Sequence, residues 1–389
     1  MAKSADARDL KSLGSNTVPV QVRSPAPKSR SYNTNGILFL YLKIILNNFY
    51  ISDNIDLYGK GDVYMNRLYL RGLAGQIFYN STEVAAYALT YRPIPEDLEY
   101  TKKIQYGAEK YQYINTLVRK DLADKKKPLF VYIHGGGWIS GITEMRNAYV
   151  AEWAKKGFFA ASVSYTYAPQ KVFPSQLKEV FAAIDFILDN ADEYNIDPDN
   201  VIIGGESAGG YYVAYVASCM TDKTILEKLD INFRHAENFN IRAVVSHCGC
   251  YDLKRLTDPD KKQSHFPDMK MMTSTFVGMN INELRELLKN DDSCLYSPQI
   301  NEKFPPAFIT WGDKDMLRYE AFDFAESLRV NNIKYRLFKS DGIIGMHAWS
   351  IVPLFEKSRK CLKETFDFVL PYVSEYFCCD CEKNWIFSK

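Results

Sequence analysis

The stretch "VIIGGESAGGYYVAY", residues 201 to 215, decides the fold. Val201, Ile202 and Ile203 are β-branched and read as the end of a buried strand. From Ala208 onward the spacing turns helical, with Tyr212, Val213, Val216 and Ala217 sharing one face. The chain therefore runs strand, tight turn, helix, and Ser207 stands at the turn between Gly205 and Gly209 as G-x-S-x-G. A side chain at either glycine would clash with the neighbouring strand or helix. This pattern is a nucleophile elbow, which lifts a serine hydroxyl clear of a sheet. The helix N-terminus behind it aims backbone N–H groups and a positive dipole at the same spot.

A second stretch, "PLFVYIHGGGWISG" from Pro128 to Gly141, supplies what such a serine needs. Leu129 to Ile133 read as a buried strand, broken by His134, Gly135, Gly136, Gly137 and Trp138. Consecutive glycines leave the backbone free to turn its N–H groups toward a developing negative charge. Donors of that kind contribute a few kcal/mol each to a transition state. A phosphate-binding loop is the competing reading, but neither G-x-G-x-x-G nor a G-K-[ST] ending is present here.

Taken together, "HGGGW" and "GGESAGG" resemble the hormone-sensitive-lipase-like branch of the α/β-hydrolase superfamily, which includes acetyl esterases and arylacetamide deacetylases. The intervening "SVSYTYAPQKVFPSQLKEVFAAIDFI" is similar to that group's segment with a tyrosine, an Ala-Pro and a Phe-Pro that opens a helix. The resemblance spans roughly residues 105 to 375. It implies an α/β fold with a mostly parallel central sheet flanked by helices. It also implies a Ser-Asp-His triad with neither metal nor organic cofactor. Glu206 departs from the aspartate that many members carry before the serine.

The chain order of this fold is serine, acid, histidine. Of the five histidines, His134 belongs to the glycine loop, and His235, His247 and His265 precede the late strands that should carry the acid. His347 is left, in "KSDGIIGMHAWS", after an apparent strand from Tyr335 to Phe338 and before a long C-terminal helix. For the acid, "PPAFITWGDKDMLRYEAF" has a strand from Ala307 to Trp311 ended by Gly312. Asp313 and Asp315 follow, and the family pattern favours Asp315, ahead of Met316 and Leu317. His347 would then take the Ser207 proton, Asp315 would hold the imidazole, and the N–H groups of Gly135, Gly136 and Ala208 would receive the oxyanion. Trp138, Glu206 and Tyr211, which sit in or beside the two motifs, are expected to contact substrate.

The 389 residues suit one large α/β domain with an appended segment, and a net charge of +1 gives no footprint for a nucleic-acid partner. Residues 1 to 35, polar and basic, read as a disordered tail, and 36 to 104 as a helical cap segment ahead of a catalytic domain from 105 to 389. Residues 254 to 300, polar and irregular, read as a second cap insertion before the acid strand. The apolar segment at 37 to 51 has an apolar core of about eleven residues, short of the roughly 20 a spanning helix needs. A cap helix is therefore expected there, with a membrane anchor as the alternative. The eight cysteines are irregularly spaced and read as free thiols in a reducing, cytoplasmic setting. Asn80-Ser81-Thr82 is a glycosylation sequon. The function that follows is hydrolysis of small to medium carboxylic esters. A formamidase or small amidase is the alternative, and a ligand-binding protein on a hydrolase scaffold is the other class considered.

Overall fold

The computed structural model describes residues 67–258, 269–289, 295–342 and 345–373. The tail at 1 to 35 and the apolar segment at 37 to 51, with its cap and anchor readings, lie outside the described residues.

Eight strands form one sheet: β1 (Leu98–Gln105), β2 (Tyr113–Arg119), β3 (Lys127–Ile133), β4 (Phe159–Val163), β5 (Ile196–Glu206), β6 (Ile241–His247), β7 (Ala307–Gly312) and β8 (Tyr335–Ser340). Their order is β1-β2-β4-β3-β5-β6-β7-β8. The pairs β1–β2 and β2–β4 are antiparallel, and β4, β3, β5, β6, β7 and β8 run parallel. Both faces of the central strands are covered, which is why β3, β4, β7 and the second half of β5 read as largely apolar runs. Alternate residues go to opposite faces. Leu129, Val131, Ile133, Val201, Ile203 and Ile309 join one core cluster, and Phe130, Tyr132, Ile202, Val245 and Phe308 join the other.

The first cluster packs against α3 (Ser175–Asp189), α4 (Ala208–Thr221), α5 (Thr224–Lys228) and α9 (Arg318–Val330). The second packs against α2 (Asn147–Lys155) and α10 (Glu356–Val369). On α10 the apolar residues Cys361, Leu362, Phe366 and Val369 repeat at helical spacing and are buried, while the opposite side is charged.

Two boundaries differ from the sequence reading. The sheet begins at Leu98 rather than 105, because β1 is a polar edge strand whose exposed Thr101, Lys102 and Lys103 carry no apolar rhythm. Residues 254 to 300 are not irregular where described. They hold α6 (Leu253–Thr257), α7 (Met269–Val277) and α8 (Ile281–Leu287), the last opened by an Asn280–Glu283 capping box.

Ahead of the sheet, α1 (Arg67–Thr90) lies across α7. The crossing is close: a Cβ on Gly72 would sit 2.4 Å from Thr275 Cγ2, and one on Gly75 2.7 Å from Met271 Cε. The sequon asparagine sits on this helix, and Asn80 Oδ1 accepts a hydrogen bond from the Gly141 N–H at 3.3 Å. No helix among the described residues is long and apolar enough to cross a membrane.

Candidate active site

The parallel strands β3, β5, β6 and β7 all end at one edge of the sheet, and the loops leaving them build the site. Ser207 stands between β5 and α4 with φ 56° and ψ −121°, a conformation L residues avoid. The strain is held from three sides. Ser207 N–H donates to the His247 carbonyl at 2.9 Å, and the Ser207 carbonyl accepts from the N–H groups of Tyr211 (3.3 Å) and Cys250 (3.4 Å). Gly209 is required by packing: a Cβ there would lie 2.0 Å from the Ile133 carbonyl oxygen.

The glycine loop after β3 comes up against this corner. A Cβ on Gly135 would meet the Glu206 carbonyl oxygen at 2.5 Å and the Ser207 Cβ at 2.9 Å. Gly136 has φ +121° and Gly137 φ +60°. His134 braces the loop from within. Its ring stacks on Tyr165, with centroids 4.6 Å apart, and its Nδ1 bonds the Gly135 carbonyl at 2.7 Å. Tyr165 in turn donates to the His134 carbonyl at 3.0 Å. Burial lowers the pKa of His134 below the ordinary histidine value, which keeps it neutral as a structural ring.

His347 and Asp315 are brought together by two loops packed on each other. The Lys314 N–H donates to the Gly345 carbonyl at 2.8 Å, and a Cβ on Gly312 would sit 2.2 Å from that same oxygen. Across this contact His347 Nδ1 lies 2.9 Å from Asp315 Oδ1, so Nδ1 carries the proton and Nε2 is the free nitrogen. Asp315 Oδ1 also accepts the Leu317 N–H at 2.8 Å. Asp315 is fully buried and His347 partly exposed. Burial works to raise the Asp315 pKa, but the adjacent His347 outweighs it and holds the carboxyl below its usual range. Burial likewise works to lower that of His347, yet Asp315, helped by Glu206 and Glu83, leaves it raised. Asp313 does something different. Its Oδ2 accepts the Gly342 N–H at 3.2 Å and pins the loop that leads to the histidine.

The three residues expected to contact substrate are all buried. Glu206 is 1% exposed and has both oxygens engaged, Oε2 by the Tyr132 hydroxyl and Oε1 by Arg146 Nε, each at 2.5 Å. Arg146 also reaches Glu83 of α1, through Nη1 to Oε2 at 3.0 Å. A substrate-contacting role for Glu206 is therefore replaced by a buried Glu83–Arg146–Glu206 network. Trp138 stacks on Phe276 of α7 at 4.6 Å and meets Tyr211 edge-on at 5.6 Å. The Tyr211 hydroxyl donates to the Tyr296 carbonyl at 2.9 Å. Both aromatics are fully buried against α7 and the segment that carries Tyr296.

Sequence reasoning missed Arg146, Glu83 and Cys248. The only signal for the first two was the glutamate in place of aspartate at 206. Cys248, Asp315 and His347 place a thiol, a carboxylate and a ring nitrogen all within 4.8 Å of one another. Zinc accepts such donors, but His347 Nδ1 and Asp315 Oδ1 are already engaged with each other.

A parallel sheet whose fifth strand turns through a strained serine into a helix, faced by a glycine loop, defines an α/β hydrolase. The BD-FAE family model matches residues 117–320, more than half of the chain. The chain belongs to that family. It is similar to Esterase LipC of Mycobacterium tuberculosis, 24% identical over 234 residues, which are 59% of this chain and 55% of that one. Esterase LipQ of the same organism is 26% identical over 218 residues, 55% of this chain and 49% of that one. The chain thus spans about half the length of these curated relatives. Among solved structures, esterase B from Lactobacillus rhamnosis superposes with a TM-score of 0.66 at 18% identity, covering 82% of this chain and 98% of the other. At that identity the likeness is one of fold.

Proposed function

We propose that this protein is a serine hydrolase of carboxylic esters working through Ser207, His347 and Asp315. The observation that carries the reading is a serine held at positive φ after β5, at the same end of the parallel sheet as the loops after β7 and β8 that hold Asp315 and His347 2.9 Å apart. In the proposed reaction, His347 Nε2 takes the Ser207 proton as Oγ attacks the ester carbonyl. The negative charge on Asp315 and the 2.9 Å bond to Nδ1 fix the ring tautomer and stabilise the imidazolium. The N–H groups of Gly135, Gly136 and Ala208 receive the oxyanion. The imidazolium then protonates the leaving alcohol, and water repeats the sequence on the acyl-enzyme.

The esterase names of its relatives support an ester substrate. Free thiols at all four described cysteines, Cys219, Cys248, Cys250 and Cys361, support a reducing compartment such as the cytoplasm.

The test is steady-state hydrolysis of p-nitrophenyl esters of increasing chain length, alongside the matching anilides, by the wild type and Ser207→Ala. The reading requires turnover that is highest on short esters, far lower on anilides, and abolished in the alanine variant. Faster anilide cleavage would replace the esterase by an amidase, and full activity in the variant would remove the serine mechanism.

A further inference from the structure

The segment "SHCGCYDL", residues 246 to 253, carries two cysteines that the proposed mechanism does not use. It leaves the end of β6 directly under the site. The His247 carbonyl takes the Ser207 N–H, and the Cys250 N–H and thiol both approach the Ser207 carbonyl, the Sγ at 3.6 Å. Between them Cys248 adopts φ 50°, which turns its side chain out of the strand's alternation. Cys248 is 1% exposed, with its Sγ 3.9 Å from Thr310 Oγ1 and in the 4.8 Å cluster with Asp315 and His347.

Asp315 presents a deficit that this thiol can fill. Both hydrogen bonds to its carboxylate, from His347 Nδ1 and from the Leu317 N–H, fall on Oδ1. Oδ2 is buried and has no hydrogen-bond partner at ordinary distance and angle, while the Cys248 sulfur belongs to the 4.8 Å cluster around it. A carboxylate that stays charged in the interior needs donors on both oxygens. Resting on the triad reading above, we propose that Cys248 is a positioning residue, its thiol donating to Asp315 Oδ2 so that Oδ1 stays aimed at His347. A thiol is a weak donor, and that weakness is useful here. It satisfies Oδ2 without withdrawing much of the charge that His347 needs.

The direction of the bond follows from the surroundings. Burial, and then the charge of Asp315, push the Cys248 thiol well above its ordinary range, so it keeps its proton and can only donate. The thiol is backed by a chain of hydroxyls: Thr310 Oγ1 lies 3.1 Å from Ser350 Oγ and 3.2 Å from His247 Nδ1, and His247 Nε2 is 2.7 Å from the Tyr149 hydroxyl. Burial drives His247 down to about 3, so this backing stays neutral at working pH. The charged groups acting on the Asp315–His347 pair are then Glu206 and Glu83.

The experiment compares wild type, Cys248→Ala, Cys248→Ser and Cys361→Ala, the last deleting a buried thiol on α10 that is not part of the Cys248–Asp315–His347 cluster. Readouts are kcat and KM on a short p-nitrophenyl ester, the acid limb of the kcat/KM profile, and the downfield Nδ1–H proton resonance. Removing one donor from Asp315 makes the carboxylate more basic, so Cys248→Ala should move the acid limb to higher pH and shift the resonance downfield. Loss of about one weak hydrogen bond corresponds to roughly a tenfold fall in kcat, with KM little changed. Cys248→Ser, which restores a donor, should return the profile and recover kcat to within about threefold. Cys361→Ala should move neither the limb nor the resonance. A Cys248→Ala profile that overlays the wild type, or an equal shift in Cys361→Ala, overturns the proposal. Asp315→Asn in the same series separates the two levels: if it too is fully active, the triad reading fails; if it alone is inactive, only the role of Cys248 fails.

Discussion

Arg146→Met tests the charge network around Glu206, the residue before Ser207. The Arg146 side chain is 10% exposed and bridges Glu206, 1% exposed, and Glu83, 22% exposed. In the variant, Glu206 keeps only the Tyr132 hydroxyl as a partner. Glu83 is accessible enough to be rehydrated, so the cost concentrates in Glu206. Removing one partner of a buried pair costs about 3–5 kcal/mol because the other charge is stranded. For a folded unit of about 300 residues, each kcal/mol shifts Tm by roughly 1.5 °C, so the expected fall is about 5–8 °C. The assay is urea unfolding with parallel thermal melts at pH 8. Arg146→Met combined with Glu206→Gln should regain most of the loss, since the amide can still accept the Tyr132 hydroxyl. If Arg146→Met is within about 1 kcal/mol of the wild type at pH 8, the reasoning about the stranded charge is wrong.

Three further outcomes are expected. Asp315→Asn should lower kcat by up to about 10⁴, whereas Asp313→Asn, which loses only a loop-pinning role, should cost about tenfold or less; steady-state kinetics on one ester decides, and the reverse order would move the acid to Asp313. Glu83→Gln should move the acid limb of kcat/KM to lower pH, because Glu83 helps to raise the His347 pKa and its removal lets that value fall; a limb that stays put or rises contradicts this. Glu320 is pushed by burial up to about 7 from 4.5, so the folded state binds the extra proton between those values and stability falls as pH rises through that window. Glu320→Gln should flatten that fall, worth up to about 3 kcal/mol, in unfolding measured from pH 4.5 to 7.

How much was legible follows from which residues carry a local signal. Leu129 to Ile133, Val201 to Ile203 and Ala307 to Trp311 lie inside β3, β5 and β7 because strands buried on both faces must be apolar throughout. The elbow at Ser207 was readable because its glycines answer to backbone contacts as short as 2.0 Å, which no other residue tolerates. β1 was not, since an edge strand with one exposed face needs no apolar rhythm and Lys102 and Lys103 blunt it. α7 was missed because its helical state rests on packing against Gly72 and Gly75, some 200 residues earlier in the chain. The Arg146–Glu206 pair spans 60 positions, and Glu83 to Arg146 spans 63, so no motif spacing marks them. Trp138 and Tyr211 read as substrate contacts because the motif places them near the serine; their packing against Phe276, far along the chain, carries no local signal.

The most direct test of the central claim is covalent capture of the nucleophile. The protein is treated with a fluorophosphonate, the adduct is located by peptide mass spectrometry, and ester turnover is followed on the same sample. One adduct is expected, on Ser207, growing in step with loss of activity and absent from Ser207→Ala, whose helix and strand content should match the wild type because alanine fits the same turn. Label on another residue with activity lost, or Ser207 fully labelled with activity intact, would contradict the serine mechanism.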